Sequence, residues 1–377
     1  MKNKILKFII ILLLTSLLTG CWNYVGVDEI TIVTGIAIDK NKETDEYIVS
    51  YEIISLSESS KQQELTQTSF IESSGVTLFD AFRNSKKRAM NKLYFSDAQA
   101  IIISKEVAKK DGINSIIDVF IRDGEIRETI NLAISAEETA KELFLDKGID
   151  TNIVGFELKK IITSDNRVTS STKNVELFKT FNLLKGEGNS LALPLFHTVK
   201  NKDEKTVEID GIAIFDKDKL IGNLNPEESK MYLFINNEVD GGVIPIDANN
   251  DGKYDSSLEI SKNRTSRQWS YKDKKIKFKI KILTDVYLSE YNNGEVNPKK
   301  ISNIEKKAEK VLVDNMDKLI SKAKTEFKID IFGFGNLVYK KDNQLWKKIK
   351  KDWNKLFSES EIEVETDVRI LNTALSR

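Results

Sequence analysis

A single cysteine closes a short apolar run near the start of the chain, and its placement constrains the rest more than any other feature. Lys2, Lys4 and Lys7 give a cationic start, Phe8 to Leu14 is unbroken and apolar, and the run continues through Thr15-Ser16 to Leu18-Thr19-Gly20-Cys21. Such a run is shorter than the roughly 20 residues that span a bilayer as a helix. Its layout is that of a secretory signal with small residues before the cleavage point. Leu-Thr-Gly-Cys has the form of a bacterial lipobox, in which a diacylglyceryl group alkylates the thiol and the cysteine becomes the new N-terminus. A thiolate suits that step because it attacks carbon under mild conditions. A chance cysteine beyond an ordinary signal is the plainer reading, but all four parts stand in order and favour the lipobox. Each buried methylene contributes about 0.8 kcal/mol, so one acyl chain holds marginally and two or three hold durably. Residues 1–20 are therefore expected to be a lipoprotein signal peptide, with Cys21 carrying an N-acyl diglyceride and palmitate. The rest is expected to be a body tethered on the extracytoplasmic face of a membrane.

Because Cys21 is the only cysteine, no intramolecular disulfide can form, although the compartment would permit one. Stability must come from packed cores. The chain carries 58 basic and 58 acidic residues, and the leader removes three of the lysines. A mature chain with a slight acidic excess lacks the electrostatic footprint of a nucleic-acid partner. With 377 residues and no low-complexity tract, more than one domain is expected.

The period of the apolar residues gives the fold class. Ile32 to Ile38 is β-branched and reads as a strand, with Tyr47 to Leu56 as its hairpin partner. Val76 to Tyr94 reads as one helix, with Leu78, Phe79, Phe82 and Met90 inward and Lys86, Lys87 and Arg88 outward. Strands at Ala98–Ile103 and Ile130–Ile134 alternate with helical stretches, giving an α/β domain over residues 21–200. Lys200 to Lys205 reads as a charged linker to a small middle domain, 201–256. There Val207 to Phe215 is a strand, and Asn225 caps a helix that has Pro226 at its first position. Residues 257–377 read as a two-layer α/β sandwich: paired strands Ser257–Trp269 and Lys275–Val286, a long amphipathic helix Pro298–Phe327, a second helix Gln344–Phe357, and a strand Ile362–Leu371. The expected class is α+β, a multi-domain ectodomain with mixed and antiparallel sheets flanked by helices.

A resemblance emerges from several stretches taken in order. Cys21-Trp22, Asp28-Glu29-Ile30 and Gly35-Ile36-Ala37-Ile38-Asp39 open it. Gly211-Ile212-Ala213-Ile214-Phe215, Lys219 to Gly222 and Leu224 to Glu228 form its middle. Asp330-Ile331-Phe332-Gly333-Phe334-Gly335, Trp346-Lys347, Trp353 and Phe357 close it. Together these resemble the Ger(x)C family, the lipoprotein subunits of bacterial spore germinant receptors. The chain departs from the family by lacking a proline within Lys341-Asp342-Asn343 and a histidine near Leu93 to Ser96. The resemblance implies a non-enzymatic subunit acting beside two integral (polytopic) membrane subunits in the spore inner membrane. It also implies an ectodomain of three α/β domains.

No residue pattern selects a reaction. His197 is the only histidine, and without a Gly-x-Ser-x-Gly elbow it reads as structural or surface rather than as a general base. Gly333-Phe334-Gly335 lacks the strand and third glycine of a phosphate loop, so its glycines read as a tight turn that lets Phe332 and Phe334 pack inward. Asp247, Asn249, Asp251 and Asp255, with Gly252 at position six, follow the spacing of a Ca²⁺ loop. Position twelve is Leu258, however, and a plain Asp/Asn/Gly turn is the simpler reading. Lys347, Lys348, Lys350, Lys351 and Lys355 read as a solvated face, with anionic lipid the sharper alternative. Two other function classes stay open on residues alone: a surface solute-binding lipoprotein feeding a transporter, and a cell-wall hydrolase.

Overall fold

The structure, a computed structural model, describes residues 3–8, 26, 29–54, 68–145, 153–202, 204–248, 252–292 and 294–373. Cys21 lies outside the described residues, as do Asn249 and Asp251.

The first sheet is built on β1 (Ile30–Lys40), β5 (Ala100–Ser104) and β6 (Asn131–Ser135), which lie parallel and are buried on both faces. Continuous apolar runs are what a doubly covered parallel strand requires. β2 (Tyr47–Ile54) and β3 (Thr68–Gly75) add antiparallel on one side. β7 (Leu191–Asn201), β8 (Glu204–Asp216) and β9 (Lys219–Leu224) extend the other, and the short β4 (Lys92–Tyr94) pairs with the start of β1. One face is covered by α1 (Leu78–Asn84), α2 (Lys105–Lys110), α3 (Asn114–Arg122) and the start of a later helix at Leu177. The other face, lined by the small residues Ala37, Ala100 and Ala133, receives α4 (Glu142–Leu145) and α5 (Val154–Val168).

The second sheet has four strands, β10 (Val243–Ile246), β11 (Ser256–Lys272), β12 (Lys275–Tyr291) and β13 (Glu361–Thr373). Asp273 and Lys274 take positive φ angles of 52° and 60° at the β11–β12 turn, the geometry a two-residue hairpin needs. α6 (Leu177–Lys185) belongs to the first half. α7 (Pro226–Asn236) leads into the second, where α8 (Pro298–Lys322) lays Ile304, Ala308, Leu312, Met316 and Leu319 onto the core. The expected capping of α7 is present: Asn225 and Glu228 form a reciprocal capping box, and Pro226 opens the helix. From Ser229 to Ile235 every residue of α7 is buried, because the helix lies between β8–β9 of the first sheet and the second sheet. A helix enclosed on all sides has no solvated face to show.

Three expectations require correction. The single helix over Val76 to Tyr94 is instead α1, a 3-10 turn at Ser85–Lys87, and β4. Ser85 Oγ donates to Phe82 O and the chain turns away, so Phe79 and Met90 emerge on the surface rather than in the core. The separate unit over 201–256 is also absent as a layer. Asn201 pairs with Glu204 across a hairpin tip, β8 and β9 continue the first sheet, and α7 and β10 join the second core. The charged stretch Lys200 to Lys205 is that hairpin tip rather than a linker. Finally, the helix over Gln344–Phe357 is broken into α10 (Asn343–Ile349), a 3-10 turn at Lys350–Asp352, and α11 (Trp353–Glu359), following α9 (Phe334–Lys341).

Asp39 ties the loop after β6 to the end of β1: its carboxylate accepts from Ala140 N at 2.6 Å and Lys141 N at 3.1 Å. Burial pushes its pKa from the ordinary 3.8 to about 6, against the pull of those two bonds. The native state thus holds this proton more tightly than the unfolded chain. Its contribution is full below about pH 4 and is lost as pH rises through about 6. Asp39→Asn is expected to remove that slope. Relative to the variant, the parent should lose about 3 kcal/mol of unfolding free energy between pH 4 and pH 7, read by denaturant titration at each pH. A constant difference across the range would show that Asp39 does not titrate there.

Candidate functional site

The two halves meet where Asp330 to Gly335 passes beneath the loop Gly186 to Ser190. Asp330 is buried, and its carboxylate accepts from Phe332 N at 3.0 Å, Gly335 N at 2.7 Å and the Trp353 indole Nε1 at 3.2 Å. Burial pushes this carboxyl above its ordinary range, while those donors pull the other way. Phe332 and Phe334 turn inward as expected; Phe334 stacks on Phe278 with centroids 4.3 Å apart. Gly333 makes the turn at a φ of +70°. A Cβ on Gly335 would stand 2.9 Å from the Trp346 ring and 3.0 Å from Trp353 Nε1, which only glycine accommodates.

From the other half, Glu187 accepts from Trp346 Nε1 at 2.9 Å and pairs with Lys350 at 2.9 Å; the indole, then the ammonium, hold its carboxyl below the ordinary range. Asn336 Nδ2 donates to Glu187 O, and Ser190 Oγ donates to Ile331 O at 2.7 Å. Arg267 on β11 completes the seam, donating to Phe332 O at 3.0 Å and Asn236 Oδ1 at 2.7 Å.

A polar cleft of about 710 Å³ runs beside this seam, lined by Asn166, Lys173, Asn182, Asn189, Glu238 and Asn336 among others. Lys173 Nζ lies 2.9 Å from the Glu238 carboxylate and 5.3 Å above the Tyr232 ring. Burial opposes charge on Lys173, but Tyr232 and Glu238 outweigh it and hold the ammonium above its ordinary range. The pair bridges the halves, since Lys173 precedes α6 and Glu238 follows α7. No sequence signal marked this pair, whose members stand 65 positions apart. Asp330 was visible only as part of a motif. Glu187 was not singled out in the sequence at all.

The proposed cation ligands are divided by what the structure describes. Asp255 Oδ1 accepts from Ala248 N at 2.8 Å and Ser256 Oγ at 2.9 Å, and Asp247 Oδ2 accepts from Gly252 N at 2.9 Å. Lys307 Nζ reaches the carbonyls of Asp247 and Ala248. An ammonium therefore stands beside the first residues of the loop, and the Asp247 and Asp255 carboxylates are engaged by groups of the loop itself. Among the described residues no group of three or more His, Cys, Asp or Glu side chains is placed to hold a metal. His197 Nδ1 lies 3.9 Å from Asp210 at the surface of β7–β8.

Two sheets joined by a buried loop, with a polar cleft along the join, make this a multi-domain α+β body whose polar groups are spent on holding shape. Residues 23–198 match the family model "Spore germination protein N-terminal domain", and residues 210–374 match "Spore germination B3/ GerAC like, C-terminal". The relative "Spore germination protein A3" of Bacillus subtilis (strain 168) is 31% identical over 98% of this chain and 97% of its own. "Spore germination protein B3" of the same organism is 24% identical over 97% of each. The crystal structure of the GerBC protein has the same fold, with a TM-score of 0.59 at 19% identity over 90% of this chain and 97% of that one. The chain belongs to the Ger(x)C family of spore germination proteins.

Two predictions follow from the geometry. Glu238→Gln leaves the Lys173 ammonium largely buried beside a weaker partner. It should lower unfolding free energy by about 1–2 kcal/mol, between the values for exposed and fully buried pairs; an unchanged denaturation midpoint would show the pair to be idle. Calcium titrated to millimolar concentration is expected to release no binding heat. A saturable isotherm abolished by Asp247→Asn would instead make the loop a Ca²⁺ site.

Proposed function

We propose that the chain is the lipid-anchored, non-enzymatic subunit of a nutrient germinant receptor, working with two integral membrane subunits at the extracytoplasmic face of the spore inner membrane. The observation that carries this reading is end-to-end similarity to "Spore germination protein A3". The sequence Leu18-Thr19-Gly20-Cys21 supports the anchor. Among the described residues no helix is long and apolar enough to cross a membrane; the assignment of attachment to Cys21 rests on that sequence.

The polar cleft beside Lys173 is the feature a solute-binding lipoprotein would use. Such proteins close two lobes about a hinge. Here Glu187 and Ser190 fix the two halves to one another, and Lys173 is engaged by Glu238. The receptor reading accounts for the whole chain, and the solute-binding reading accounts for the cleft alone.

Spores lacking the gene, challenged with single nutrients, should fail to lose optical density with one nutrient class and recover with the intact gene. Cys21→Ala should leave the folded body intact and move it from the membrane to the soluble fraction. Normal germination with every nutrient would bring the solute-binding reading forward. Retention of the Cys21 variant in salt-washed membranes would count against the anchor.

A further inference from the structure

The stretch that the helix pattern misplaces is also the most unusual surface of the first half. Met90 is 97% exposed, Phe79 48% and Tyr94 37%. Between Phe79 and Tyr94 stand five cations, Arg83, Lys86, Lys87, Arg88 and Lys92, against one acid, Asp80. All five cations are exposed; Arg83 lies over the Phe79 ring at 4.8 Å. Lys86 and Lys87 form no ion pair among the described residues, while Lys92 is 3.9 Å from Glu125. Phe79, Arg83, Lys86, Met90 and Lys92 line one groove together with the acids Asp123 and Glu125.

The position of this surface matters as much as its composition. β4 lies parallel to the first residues of β1, with Lys92 opposite Ile30 and Tyr94 opposite Ile32. Ile30 stands nine positions after Cys21, so a fully extended tether reaches at most about 30 Å. The surface therefore stands at the end of the sheet from which the chain departs toward its anchor. Exposed apolar and aromatic side chains ringed by Lys and Arg are the composition of a surface that enters the headgroup region of an anionic bilayer. The lysine face of α10 and α11 lacks the apolar half of that pattern: Trp346, Ile349 and Trp353 are buried, and Lys350 is held by Glu187.

We propose that the α1–β4 surface, Phe79, Met90 and Tyr94 with Arg83, Lys86, Lys87 and Lys92, seats the protein on anionic lipid and fixes the orientation of the body above the membrane. The proposal rests on the anchor at Cys21 for proximity, and the surface itself is testable without it. Full-length lipidated protein carrying Met90→Cys has one free thiol, because the Cys21 sulfur is alkylated. An environment-sensitive dye on that thiol should shift to the blue in phosphatidylglycerol-containing vesicles and be quenched by brominated lipid. It should stay water-like in pure phosphatidylcholine. The same dye at Leu283→Cys, exposed on β12 of the second sheet, should remain water-like in both. Lys86→Glu, Lys87→Glu and Lys92→Glu together, with the melting curve checked for folding, should weaken partition of the unlipidated protein into anionic vesicles on the order of a hundredfold. A dye at position 90 that stays in water while the protein floats with anionic vesicles would overturn the proposal. So would burial of the dye seen only when other membrane proteins are added, which would make the occupant a protein. Failure to float with neutral vesicles would overturn the anchor; partition of the same unlipidated protein into anionic vesicles then decides the surface independently.

Discussion

The buried carboxylate of Asp330 is the interaction that holds the second half's side of the seam in shape. A carboxylate removed from water is costly unless its oxygens are taken up by donors. Here two backbone N–H groups and an indole N–H supply them, all from the second half: Phe332, Gly335 and Trp353. The seam itself is closed by the bonds that cross it, from Trp346 and Asn336 to Glu187 and from Ser190 to Ile331. The glycines follow from this: Gly335 must present its N–H to the carboxylate while two tryptophans cover its α-carbon, and Gly188 must let the opposing backbone approach.

The same device recurs through the first half. Asp39 accepts from Ala140 and Lys141, Glu52 from Val154 and Gly155, and Asp165 from Ser171 and Thr172. In each case a carboxylate holds successive backbone N–H groups at the start of a segment that would otherwise leave them unpaired. Asp39 and Glu52 reach across about a hundred positions of chain. A chain with one cysteine has no intramolecular disulfide with which to pin its loops. Buried carboxylates perform that pinning, and the raised pKa values of Asp39, Glu52 and Asp330 are the electrostatic consequence.

How much of this was legible depends on how local the signal was. The α7 cap, the β11–β12 hairpin, the long α8 stripe and the inward Phe332 and Phe334 are fixed by near neighbours, and the sequence pattern predicts them. The helix expected through Tyr94 was misread because Leu78, Phe79 and Phe82 match helical spacing as far as the second turn. What ends the helix is the pairing of Lys92 with Ile30, a contact 62 positions distant that no local window contains. The linker expected at Lys200 to Lys205 proved a hairpin tip for a related reason. A run of Lys, Asp and Glu suits a hairpin tip as well as a linker, and only the pairing of β7 with β8 distinguishes the two. The Lys173–Glu238 pair and the role of Glu187 were invisible because a salt bridge leaves no periodicity. The family motif around Asp330 was recognisable, but its meaning lies in the partners it meets.

These features together bear on how such a body could relay a signal. Coupling between distant sites requires an element with two arrangements that each site biases differently. The seam offers no such freedom at low cost, because separating the halves would break the bonds of Glu187, Ser190 and Lys173 that cross it at once. Movement within the protein is thereby confined to elements outside the seam, and movement of the protein is that of one piece.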